Sequence, residues 1–149
     1  MKTTGIILIM RGIPGSGKST FVNQKYSHAT VCSADHYFTD EKGNYTFDIE
    51  KIGEAHQHCK HEFKEAIEFN ERLIVIDNTN LSMQAMYHYI KKAEERQYEV
   101  WFVRMMTPVD IAIERNIHKV PPETIKHFAD IMEDIPKEYQ DREIKIKAY

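Results

Sequence analysis

Residues 11–20 read Arg-Gly-Ile-Pro-Gly-Ser-Gly-Lys-Ser-Thr and directly follow the apolar run Gly5-Ile-Ile-Leu-Ile-Met10. Three of the six glycines of the chain, Gly12, Gly15 and Gly17, fall just before a lysine and two hydroxyls. Gly12, four residues, then Gly17-Lys18-Ser19 fits the phosphate-loop pattern, placed between an apolar strand and a helix as that motif requires. Such a pattern arises by chance about once in a few hundred chains of this length, and its placement makes chance rarer still. The glycines permit unusual dihedrals and let backbone N–H groups converge on an oxyanion, while the following helix presents its positive dipole end. A turn that merely joined strand to helix would have no use for the lysine and hydroxyl pair. Residues 12–20 (Gly12, Ile13, Pro14, Gly15, Ser16, Gly17, Lys18, Ser19 and Thr20) therefore read as a cradle for ATP. Lys18 would reach the β/γ-phosphates and Ser19 would enter the coordination sphere of Mg²⁺.

Outward from that loop, short apolar clusters recur at Thr30–Cys32, Leu73–Ile76 and Val100–Met105, and read as buried strands. Between them, Ile49, Ile52, Cys59, Phe63, Ala66 and Ile67 mark one face of a long helix. Met83, Met86, Tyr87, Ile90 and Ala93 mark another. Asp48, Ser82 and the hydroxyl of Thr107 read as helix caps, and Pro121 and Pro122 open a last helix bearing Ile125, Phe128, Ala129 and Met132. The order βαβαβαβα predicts a mostly parallel sheet of four to five strands between two layers of helices. The expected architecture is a three-layer, kinase-type P-loop NTPase fold with a small helical lid, in one domain over residues 1–149. The tail from Asp141 to Tyr149 alternates Ile144 and Ile146 with lysines, which fits an edge strand or a loosely attached end.

With 149 residues, a net charge of -3 and a pI near 6.2, the chain is not a basic nucleic-acid coat, so any polyanion must be held at a local site. The two cysteines, Cys32 and Cys59, lie in core-like segments, no apolar run approaches a membrane span, and nothing resembles a leader. The expectation is a reduced, cytoplasmic protein without membrane contact.

The acceptor side of the chemistry is sought at the other strand ends, where ligands of such sheets bind. Asp35 follows the second strand, expected to neighbour the loop strand, and is read as a general base for an attacking hydroxyl; capping the next turn is its alternative role. Asp77 closes the third strand as a candidate Mg²⁺ ligand. Asn78, Thr79 and Asn80 cluster amides and a hydroxyl that look like a substrate grip. Glu114-Arg-Asn-Ile-His-Lys-Val-Pro-Pro122 has the makeup of a lid, in which Arg115 would neutralise charge on the transferring group, unless it pairs with Asp110 or Glu114. Tyr37, Phe38 and Tyr45 could stack on a base. His56, His58, Cys59 and His61 invite a zinc reading, but helical spacing does not bring all four to one ion, so no structural zinc is expected.

These segments together, "GIPGSGKST", "SADHYF", "AHQHC", "VIDNTNLS" and "RNIHKVPPETI", resemble the phage-type polynucleotide 5'-hydroxyl kinases and still more the small P-loop kinase domains of the NEDD4-binding protein 2 family. The resemblance covers most of residues 5 to 128. It implies Lys18 and Ser19 on ATP and Mg²⁺, Asp35 activating a 5'-hydroxyl, Thr79 near the acceptor phosphate, and Arg115 on the ATP phosphates, with Lys119 competing for that lid role. The phage pattern has an arginine three residues after its catalytic Asp; this chain has Phe38 there. The implied activity is ATP-dependent phosphoryl transfer, foremost to a nucleic-acid 5' end or nucleotide. A nucleoside or small-metabolite kinase and a nucleotide-hydrolysing switch are the competing readings.

Overall fold

The computed structural model describes residues 2–147. Five strands form one sheet: β1 (Gly5–Arg11), β2 (Thr30–Cys32), β3 (Leu73–Asp77), β4 (Tyr98–Met105) and β5 (Glu143–Ile146), in the spatial order β2-β3-β1-β4-β5 and parallel throughout. Five α-helices cross between or follow them: α1 (Lys18–Lys25), α2 (Ile52–Glu68), α3 (Met83–Glu95), α4 (Val109–Glu114) and α5 (Pro122–Ile131). Side chains alternate across β1, so Ile7 and Ile9 face α2 and α3 while Leu8 and Met10 face Val22 of α1. A strand covered on both faces must be apolar at every position, which is why residues 7–10 read as an unbroken run.

The strand order carries one correction. The chain leaves β1, passes along α1 and enters β2 at the sheet edge, leaving a gap that β3 later fills. The neighbour of the loop strand is therefore β3, with Met10 opposite Asp77, and Asp35 follows a strand one place further out. Adjacent strands are about 4.8 Å apart, so β2 lies about 10 Å from β1. At the opposite edge β5 pairs in parallel with β4, Val103 opposite Ile144, which makes the tail an edge strand as far as Ile146. Ala148 and Tyr149 lie outside the described residues.

Smaller differences have local causes. Ile49 and Ile52 are exposed, because α2 begins only after a 3-10 turn at Ile49–Lys51 that lifts them off the sheet; Ala55, Cys59, Phe63, Ala66 and Ile67 make the buried face. On α3 the buried aromatic is Tyr89, and Tyr87 is exposed. Ser82 caps α3 through Ala85 N, and Asp48 caps the 3-10 turn through Glu50 N. Thr107 does not cap α4; its hydroxyl turns to the phosphate loop.

Candidate active site

The loop from Gly12 to Gly17 is shaped by close contacts at Gly12 and Gly15 and by the backbone angles of Gly15 and Gly17. Gly15 and Gly17 have φ of +82° and +93°, the left-handed region that only glycine enters freely. A Cβ on Gly15 would run into the carbonyl of Ala112, and one on Gly12 would stand 2.6 Å from Ser16 Oγ. The loop is braced from the β4–α4 side: Thr107 Oγ1 donates to Ser16 O at 2.8 Å, and Ile13 packs with Ala112 and Ile125 of the two following helices. From the other side Gly12 N donates to Thr79 O at 3.1 Å. Lys18 Nζ lies over the loop and donates to Gly12 O and Ile13 O, at 3.0 and 3.1 Å. Burial pushes this ammonium below its ordinary pKa, and the Asp77 and Asp35 charges act against that shift. Pro14 lies in the loop half-buried, and Thr20 is exposed in the first turn of α1.

Asp77, at the end of β3, is buried. Its Oδ2 accepts from Ser19 Oγ at 2.8 Å, and its Oδ1 has no hydrogen-bond partner although it is shielded from solvent. Burial raises the Asp77 pKa against the opposing effects of Lys18 and the Ser19 hydrogen bond. An uncompensated buried carboxylate oxygen is costly unless something cationic can reach it. A hydroxyl and a carboxylate beside a lysine are the hard oxygen donors that Mg²⁺ prefers, so this pair fits that ion.

The β3–α3 connection differs from its sequence expectation. Asn80 is 3% exposed, takes a φ of 48°, and spends its side-chain amide on the carbonyls of Met10, Ile76 and Asn78. Its amide is thus engaged in holding the loop. The backbone of Thr79 is tied to Gly12, with its side chain half-buried at the rim. Asn78 reaches sideways: its Oδ1 accepts from Ala34 N at 2.9 Å, which ties the third strand end to the segment bearing Asp35.

Asp35 is exposed in the 3-10 turn Ala34–Phe38, whose start is capped by the Ser33 hydroxyl through Asp35 N. The capping role weighed for Asp35 thus belongs to Ser33. Its Oδ1 accepts from the Tyr45 hydroxyl at 3.1 Å. Phe38 is buried with Ala34 and Ala55 in a satellite core. Next to Asp35, His36 Nδ1 meets Glu62 at 2.9 Å, and this hydrogen bond raises the imidazole pKa against burial. Tyr37 is held by Glu54.

Across the loop, Arg115 ends α4 and Lys119 takes a φ of 55°; both are exposed, and among the described residues neither forms an ion pair. Asn116 closes the segment by bonding both backbone groups of Val120 through its side-chain amide. Two of the three α2 histidines are otherwise engaged, His58 with Glu62 and His61 with Glu65, and Cys59 is buried beneath Asn78 and Tyr89. Among the described residues no group of three or more His, Cys, Asp or Glu side chains is placed to hold a metal ion, and no helix is long and apolar enough to cross a membrane.

The residue least visible beforehand is Arg11. It is fully buried and donates from Nε to Asn80 O at 2.8 Å and from Nη2 to Glu133 O at 2.6 Å, with Glu143 3.9 Å from Nη1. One side chain therefore joins the end of β1, the β3–α3 loop, the segment after α5 and the edge strand β5. A charge closing an otherwise apolar strand was the one signal of it.

This combination of a parallel 2-3-1-4-5 sheet, a glycine loop with its lysine, and a carboxylate on the adjacent strand defines the P-loop kinase fold. Residues 7–134 match the family described as an AAA domain, and the chain belongs to that family. NEDD4-binding protein 2 of Homo sapiens is 36% identical over 133 residues, 84% of this chain but 7% of that protein, so the match spans a small part of the relative's length. Among solved structures, a chain of the Pnkp1/Rnl/Hen1 RNA repair complex has a TM-score of 0.70 at 15% identity, covering 89% of this chain and 45% of that one. The APS kinase CysC of Mycobacterium tuberculosis, in complex with AMPPNP and APS, has a TM-score of 0.64 at 18% identity, covering 99% of this chain and 92% of that one. At such identities the likeness is one of fold.

Proposed function

We propose that this protein is an ATP-dependent kinase that transfers the γ-phosphoryl group to a hydroxyl, with a nucleic-acid 5' end as its foremost acceptor. The observation that carries the reading is the pair of carboxylates at the strand ends: Asp77, buried against Ser19 of the phosphate loop, and Asp35, exposed in the turn after the edge strand β2. An exposed acid can take the proton that an acceptor hydroxyl loses as the phosphoryl group arrives, and its exposure leaves room for an acceptor larger than water.

In this reading Lys18 exchanges its two loop carbonyls for phosphate oxygens of ATP, and the backbone N–H groups of the loop bind the others. Ser19 and Asp77 hold Mg²⁺, which neutralises charge on the phosphates. Asp35 orients the acceptor hydroxyl and takes its proton, Thr79 lies at the rim for the acceptor, and Arg115 with Lys119 brings positive charge over the transferring group. Support for a polynucleotide acceptor comes from the likeness to a repair-complex chain and from the sequence resemblance. A nucleoside or small-metabolite acceptor is favoured by the acids that surround Asp35, with Glu54 and Glu62 engaging its neighbours, and by the likeness to APS kinase over nearly the whole chain.

The test is γ-labelled ATP with 5'-hydroxyl oligonucleotides, nucleosides and sugars as acceptors. Label on the oligonucleotide end, cut roughly 100-fold or more by Asp35→Asn with ATP affinity retained, is the expected result. Label confined to nucleosides or sugars selects the second reading. Label only in free phosphate refutes transfer altogether.

A further inference from the structure

Tyr45 touches both the acceptor-side carboxylate and the lid, a position that no motif assigns to it. It lies in the segment between Phe38 and Asp48, which is folded back on itself by short contacts: Thr39 and Tyr45 form an antiparallel bridge, Thr46 N donates to Phe38 O, and Asp40 accepts from Lys42 N and Asn44 N. The phenol ring is therefore fixed from its own backbone. One edge of it meets Phe38, with centroids 6.1 Å apart and an interplanar angle of 76°. The His118 ring of the lid segment lies against it at 4.0 Å and 38°. Its hydroxyl donates to Asp35 Oδ1 at 3.1 Å.

An exposed carboxylate held only by its backbone samples several rotamers. Here one oxygen is pinned by the phenol, while Oδ2 has no hydrogen bond from the protein among the described residues and is left for a proton. The phenol stays protonated, since burial and the Asp35 charge both push its pKa up, so it donates throughout the working pH range. The other charged or titratable groups facing Asp35 are Lys18 from the phosphate loop, His36 beside it, His56 from α2 and Asp77 from β3; none of them hydrogen-bonds its carboxylate.

We infer that Tyr45 is the positioning residue of Asp35 and couples its orientation to the lid: the ring of His118, seated on Tyr45, keeps the phenol on Oδ1. This rests on the reading of Asp35 as the acceptor-side base. Accommodation of the lid and alignment of the base are then one event, with Arg115 and Lys119 brought to the phosphates by the same segment that steadies the acid.

Two readouts test it in the full chain. Carboxylate ¹³C NMR at one fixed neutral pH follows the Asp35 resonance, assigned with Asp35→Asn, in the wild type, Tyr45→Phe and His118→Ala. Phosphoryl transfer to a 5'-hydroxyl oligonucleotide is measured in parallel. Removing the hydroxyl alone is expected to move the Asp35 resonance and to lower kcat about tenfold, with KM for ATP within about twofold. His118→Ala is expected to change both in the same direction by less, and the double variant to be no worse than Tyr45→Phe. An unmoved Asp35 resonance in Tyr45→Phe overturns the inference. Additive effects of the two variants, or no effect of His118→Ala, overturn the coupling to the lid. Full transfer by Asp35→Asn would sink the base reading instead, and the Asp35 resonance of Tyr45→Phe would still report whether the phenol holds the carboxylate.

Discussion

Replacing Arg11 by methionine keeps most of the side-chain volume but removes every donor that the guanidinium supplies. In the structure it serves the carbonyls of Asn80 at 2.8 Å, Leu81 at 3.3 Å and Glu133 at 2.6 Å, and it stands 3.9 Å from a Glu143 side chain that is 7% exposed. Hydrogen bonds from a charged donor contribute about 1.5–3 kcal/mol each, and breaking a buried pair while leaving its acid behind costs about 3–5 kcal/mol. Because the three carbonyls share one donor group, the costs do not add, and about 3–5 kcal/mol is expected for the variant. Urea unfolding of a domain this size has an m-value of about 2 kcal/mol per molar, so the midpoint should fall by about 2 M. Fluorescence of the single tryptophan, Trp101 on β4, gives the assay. Arg11→Met with Glu143→Gln should recover part of the loss, since the stranded acid is then neutral. A midpoint within about 0.5 M of wild type would refute the view that Arg11 is the tie between β1, the β3–α3 loop and the segment after α5.

Lys18→Ala should weaken binding of a fluorescent ATP analogue by roughly 100-fold, and unchanged affinity would remove the phosphate loop from the site. Gly15→Ala and Gly43→Ala share a positive φ, +82° and +85°, but only the first Cβ meets another residue, so Gly15→Ala should lower the melting temperature distinctly more; equal losses would refute the Ala112 contact. Glu62 raises the His36 pKa, so the stabilisation from that pair is complete below about pH 6.5, the unfolded value, and is lost as pH climbs through the folded one. The gap in urea midpoint between wild type and Glu62→Gln should therefore narrow as pH rises above about 6.5, and a constant gap would show that the pair contributes nothing.

How far the sequence carries depends on the reach of each signal. The phosphate loop, the lysine and the hydroxyl lie within ten residues of one another, and their backbone demands are met locally, so they could be read directly. Helix starts at Ser82 and Pro122 were equally plain, because a cap or a proline acts on its own turn. Asn80 shows the opposite case. An amide at a strand end next to a binding loop has the same composition whether it faces a ligand or the carbonyl of Met10, seventy positions away in the chain. Thr107 reads as a helix cap on local grounds, but a partner ninety-one residues distant, Ser16 O, claims it. Tyr45 reads from the sequence as a stacking aromatic, and its contacts depend on where His118 and Asp35 come to lie.

From the order of residues alone came a parallel α/β sheet built on alternating strands and helices, and an anion cradle at the end of its first strand. Those follow from periodicity and from glycine's freedom at φ above zero, both properties of short segments. Tertiary structure decided which strand lies beside the cradle: β3 inserts between β1 and β2, so Asp77 is buried against Ser19 while Asp35 stands one strand further out. It also decided that Arg11 is buried and Asn80 occupied. Strand order and buried partners are set by pairings between segments far apart in the chain, and these are chosen by the packing of the whole sheet, which no window of sequence contains.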